Sequence, residues 1–185
     1  MGILLAFAPF IAFAVLHRFL GAASALLAAA LVSAMLLIRD WFSAKRAPKI
    51  LEIGTFILFA LLAVYALLGD PQWSVIGVRL CVDVGLLLVV LTSIALRQPF
   101  TLQYAREQVD PALWSSPVFL RTNDVITAVW ALAFLIMVLA DLVMLYLPDV
   151  SMRVGIWVTI VALVAAIKFT GWYPEHQAAV VVSQE

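Results

Sequence analysis

Long apolar runs, each close to the thickness of a lipid bilayer, leave this chain few folds to choose from. Leu20 to Ile38, Ile50 to Leu68, Val75 to Leu96, Asn123 to Leu147 and Val150 to Thr170 are such runs. A helix needs about 20 apolar residues to cross the hydrocarbon. Inside lipid every backbone polar group must be bonded within the segment, so runs of this length without alternation read as helices. A shorter run, Gly2 to Leu16, precedes them; Pro9 interrupts it and His17–Arg18 ends it. At about 22 Å it either spans with tilt and local thinning or inserts halfway. The expected fold is an all-α polytopic membrane bundle of six transmembrane helices, with five full spans if the first run does not cross. Residues 1–185 are read as one transmembrane domain.

Composition agrees. The chain is 66% hydrophobic and 12% charged, against about 45–50% and roughly 25% in soluble domains. A net charge of zero offers no nucleic-acid footprint. Cys81 is the one cysteine, so an intramolecular disulfide is excluded. His17 and His176 are far apart and give no zinc spacing and no haem pair, so no metal and no cofactor is expected. No basic n-region marks a cleavable signal peptide.

One stretch breaks the apolar pattern for long. Arg97 to Asp124, RQPFTLQYAREQVDPALWSSPVFLRTND, carries three arginines and three prolines. It divides the helices into two groups. Arg97, Arg106 and Arg121 make 97–121 a cytoplasmic interfacial loop, because basic loops stay inside. Thr101–Val109 is expected to form one or two helical turns with Phe100 and Tyr104 on one side. Pro111 and Pro117 are expected to break any helix there, and Trp114 to anchor the loop at the headgroups.

The same rule places Arg39, Lys45, Arg46 and Lys49 in a cytoplasmic loop at 39–49, with Trp41 at the interface. Glu52 at its edge reads as a solvated helix end. Gly69–Asp70–Pro71 is an outer turn with Trp73 beside it, and Pro148–Asp149 is another. Gly171–Trp172–Tyr173–Pro174 marks the inner interface, with Trp172 as its anchor. Residues 175–185 read as a mobile cytoplasmic tail.

Two kinds of side chain stand out within the runs. Gly21, Ala25, Ala29 and Ser33 recur every four residues, a stripe that lets a neighbouring helix approach closely. Gly77, Cys81 and Gly85 form a second such stripe. Arg79 and Asp83, four apart, share the opposite side of that helix. With Asp141 and Arg153 they make an intramembrane polar cluster in the outer third of the bundle. An isolated charge in hydrocarbon costs at least a few kcal/mol, so these four either clasp helices together or line a wet pocket. No nucleophile has a base beside it, and no glycine loop is built to cradle phosphate.

The layout resembles the intracellular septation protein A family of bacterial inner-membrane proteins. The resemblance starts at Phe7-x-Pro9-x-x-x-Phe13 and continues through an alanine-rich second helix that ends near Trp41 and a basic loop. It includes Arg97 and Pro99, the aromatic-rich loop at Trp114, then Asn123, Trp130 and Phe134. The chain is a divergent member on this reading, since the segment PFTLQYARE departs from the family pattern. The resemblance implies a non-enzymatic protein of the bacterial cytoplasmic (inner) membrane. Such a protein acts through contacts with other inner-membrane proteins in cell envelope synthesis or cell division, and the reading leaves room for homo-oligomers. The alternative is a small solute or ion transporter or channel using Arg79, Asp83 and Asp141.

Overall fold

The computed structural model describes residues 2–43, 48–69, 73–147 and 149–182. Lys45 and Arg46 of the basic loop, Asp70 and Pro71 of the first outer turn, and Pro148 of the second lie outside the described residues. Every regular element among the described residues is helical: α1 (Gly2–Leu5), α2 (Ala8–Trp41), α3 (Ile50–Gly69), α4 (Val75–Ala95), α5 (Phe100–Ala105), a 3-10 turn (Pro111–Leu113), α6 (Pro117–Tyr146) and α7 (Met152–Val182). Five of these, α2, α3, α4, α6 and α7, are long and apolar enough to cross a membrane. The chain is an all-α, multi-pass membrane protein. It forms two compact units, Met1–Val89 and Val90–Glu185.

In the first unit, the runs expected at 2–16 and 20–38 are not divided at His17–Arg18. The helix continues through both residues and breaks at Gly21, whose backbone takes φ 79° and ψ 176°. Glycine alone enters that region freely, for want of a Cβ. Pro9 does not interrupt a helix either. It sits at the first turn of α2, where its missing N–H would have found no partner anyway.

The break at Gly21 reverses the chain. α2 and α3 pack on each other and are joined near their shared end by the Lys49–Asp40 bond. Phe59 therefore stands level with about residue 32 of α2. On a straight α2, Phe13 would be about 28 Å from that level. Its ring is instead 5.9 Å from the ring of Phe59, and that of Phe10 is 5.0 Å away. Residues 8–20 thus fold back as an arm along α3. The core beneath the arm is formed by Phe13, Ala25, Leu26, Ala29, Phe59 and Ala63, and Val78 and Val82 of α4 join it.

In the second unit, α4 ends in a Schellman motif. The Gln98 N–H donates to the Ser93 carbonyl at 3.0 Å and the Arg97 N–H to that of Ile94 at 2.9 Å. The motif requires a left-handed residue after the helix, usually glycine. Here it is Arg97, with φ 54°, at a cost of about 1 kcal/mol. Ser93 Oγ accepts from the Phe100 N–H at 3.3 Å and so caps α5 from a distance. Within the stretch expected as an interfacial loop with one or two helical turns at Thr101–Val109, α5 packs on α6, and Phe100, Thr101, Leu102 and Tyr104 are buried. Pro117 does not break a helix but starts α6, so α6 begins six residues before the apolar run at Asn123. α7 continues through Pro174 to Val182, and the segment expected as a tail from 175 is helical that far.

Candidate functional site

The most concentrated charge among the described residues stands where α2 meets α3. Asp40 is fully buried. Its Oδ1 accepts from Arg39 Nε at 2.7 Å and its Oδ2 from Lys49 Nζ at 2.9 Å. Lys49 Nζ is also 3.7 Å from Glu52 Oε1. Glu52 was expected to be a solvated helix end, yet it is buried. The physical reason is the lysine, whose charge offsets the two carboxylates on either side. Asp40 escaped notice in the sequence because an acid next to an arginine at a run's end looks solvated. The one available signal was that Asp40 is the single acid among Arg39, Lys45, Arg46 and Lys49.

A second polar seam runs between α5, α6 and α7. Thr101 Oγ1 donates to the Asn123 carbonyl at 3.0 Å and is 2.7 Å from Thr127 Oγ1. Asn123 Nδ2 donates to the Phe119 carbonyl. One turn on, Trp130 Nε1 donates to Thr170 Oγ1 at 2.9 Å, which itself donates to the Ala166 carbonyl. Phe100 meets Trp130 edge-on, and Trp130 leans on Phe134. Trp130 and Phe134 stand out in the sequence, whereas the threonines do not. Hydroxyls in apolar helices carry no periodic signal of their own.

The four residues of the expected intramembrane cluster divide between the two units. In the first, Arg79 is partly buried and Asp83 buried on α4. In the second, Asp141 is fully buried on α6, while Arg153 is exposed on the first turn of α7.

The small-residue stripes divide too. Ala25, Ala29 and Ser33 are buried, but a Cβ on Gly21 would meet nothing within 4 Å. Gly21 serves the bend and not helix contact. On α4, a Cβ on Gly85 would collide with the Leu58 side chain of α3, which makes Gly85 a true close-approach point. Cys81 is exposed, and the nearest atom to a Cβ on Gly77 belongs to Ser74 of its own chain end. Neither serves helix contact. Gly54 belongs to neither stripe, yet its Cβ would fall 2.6 Å from both γ-methyls of Val89.

Of the tryptophans expected as anchors, Trp41 and Trp172 are exposed. Trp73 packs against the core and 5.3 Å from the Tyr65 ring. Trp114 belongs to a tightly closed loop. Its Nε1 donates to the Val109 carbonyl at 3.1 Å, the Arg106 guanidinium lies 5.7 Å from its ring centre, and Asp110 Oδ1 accepts from the Ala112 N–H. This loop still leaves Leu113 53% and Trp114 37% exposed. On α7, Phe169 stacks with Tyr173 and Trp172 with His176.

Chemically, these groups hold helices in register. Among the described residues no group of three or more His, Cys, Asp or Glu could hold a metal ion. The chain matches no protein-family model, no curated protein and no solved structure.

Proposed function

We propose that the chain is a non-enzymatic protein of the bacterial cytoplasmic membrane that acts by contact with other membrane proteins of envelope synthesis or cell division. The resemblance to the septation protein A family supports this reading. The observation that carries it is the 106–116 loop. Its own hydrogen bonds and the Arg106–Trp114 contact close it, yet it holds Leu113 and Trp114 outward. A preorganised loop with an exposed aromatic loses little freedom on binding, which is what makes such residues good contact anchors.

Sidedness follows the basic residues. Arg39 and Lys49 mark one end of the α2–α3 pair, and Arg97, Arg106 and Arg121 mark the connection after α4. With α3 and α4 each crossing once, both sets fall on the same side, and that side is the cytoplasm. A cysteine at Ser115, with Cys81→Ala, should resist an impermeant thiol reagent in whole cells.

The test of function is a photo-crosslinking residue at Leu113 in living cells. Adducts with envelope or division membrane proteins, lost when 106–116 is scrambled, are the expected result. Adducts with lipid alone would overturn the reading.

A second reading, passage of an ion or small solute, is favoured by the burial of Asp83 and Asp141 within span-length helices. Buried acids at such depth commonly serve ion or proton paths. It requires that Asp83→Asn abolish a measurable flux in proteoliposomes.

A further inference from the structure

We infer that Arg97 is a lipid-phosphate site, where its guanidinium takes the phosphodiester of an anionic phospholipid at the end of α4. The first support is depth. α4, Val75–Ala95, is about 32 Å long at 1.5 Å per residue, close to the roughly 30 Å of the hydrocarbon core. Arg97, two residues past its end, stands at headgroup level. Just before the other end, Trp73 packs against Tyr65, an aromatic pair where an interface belt is expected.

The second support is strain. Arg97 occupies the left-handed position of the Schellman motif with φ 54°, a place where glycine costs nothing. Its side chain is exposed, so burial does not repay the strain. Attraction to the negative helix end would be met as well by an arginine at Leu96 or Gln98, without strain, and does not explain this position. A strained residue whose side chain faces outward points to a use beyond the chain's own packing.

The third support is chemistry. A guanidinium presents a planar fork of donors that matches phosphate in two parallel bonds. Anionic headgroups also gather at arginines beside a span.

The experiment uses the purified full chain in neutral maltoside detergent, melted with phosphatidylglycerol, phosphatidylcholine or inorganic phosphate. Phosphatidylglycerol should raise the wild-type midpoint by about 3 °C more than phosphatidylcholine does. Arg97→Ala and Arg97→Gly should both lose that increment. In detergent alone Arg97→Gly should melt about 2–4 °C above wild type, because it relieves the strain. Persistence of the phosphatidylglycerol increment in both variants would overturn the inference. An equal increment from inorganic phosphate would also overturn it, since the site would then be one for free phosphate. So would Arg97→Gly melting below wild type, which would mean that the fold itself needs the arginine side chain.

Discussion

Lys49 Nζ donates to Asp40 Oδ2 at 2.9 Å with both side chains withdrawn from solvent, 4% and 0% exposed. Taking two charges out of water costs several kcal/mol per ion, and mutual attraction recovers that only in good geometry. Removing one partner leaves the other charge buried alone. Lys49→Met should therefore destabilise the protein by about 3–5 kcal/mol, whereas Lys49→Met with Asp40→Leu should lose less, the remainder coming from Glu52, which loses the lysine 3.7 Å away. Arg39, 37% exposed, is a weaker partner, and Arg39→Ala should cost about 1 kcal/mol or less. Thermal melting in detergent orders the four proteins. Additive losses in the double variant would show that the pair is not coupled.

Gly54 and Gly85 make opposite demands on their neighbours. A methyl on Gly54 meets both γ-methyls of Val89, and a methyl on Gly85 meets the end of Leu58. Valine is stiff at χ1, whereas leucine has a second torsion to turn. Gly54→Ala should cost about 2–3 kcal/mol and Gly85→Ala about 1 kcal/mol. Val89→Ala should rescue the first. A larger loss at Gly85 would reverse the assignment.

Gly21 and Gly171 both have open space around them but differ in backbone. Gly21→Ala must place a side chain at φ 79° and should cost about 1–3 kcal/mol. Gly171 is inside α7, and Gly171→Ala should stabilise by up to about 1 kcal/mol. Circular-dichroism melts of the two variants should therefore shift in opposite directions. A shared direction would mean that the bend does not depend on glycine.

The reversal at Gly21 has a topological outcome. Leu4 at the start of the arm and Ser43 after α2 should face the same side of the membrane. Single cysteines at the two positions, in Cys81→Ala, should show the same reactivity toward an impermeant reagent before and after permeabilisation. Opposite labelling would mean that residues 8–41 cross as one straight helix.

These residues also mark what the sequence could reveal. Hydropathy located α3 and α4 nearly to their ends, because a helix that faces lipid on most sides writes its length into composition. It missed the true break in α2, since His17–Arg18 is a change of polarity and Gly21 is a change of backbone, and only the first alters a hydropathy profile. It cut α6 and α7 short because both extend beyond the apolar run: prolines at 117 and 174 look like stops, though the first favours a helix start and the second lies inside α7. Spacing picks out Ala25, Ala29 and Ser33, which are buried, and Gly85, where a Cβ would meet Leu58. Asp40, Glu52, Thr101 and Thr127 were not, because burial of a polar group depends on a partner that spacing alone does not supply.

The bend at Gly21 also bears on how the protein enters the membrane during synthesis. Residues 8–20 make about 20 Å of helix, too little apolar length to be retained by the insertion machinery on its own. The arm gains its apolar partners only when the following helix and Phe59 have left the ribosome. An arm translated before its packing partners is therefore among the later segments to settle, entering as one limb of a hairpin whose second limb does the anchoring.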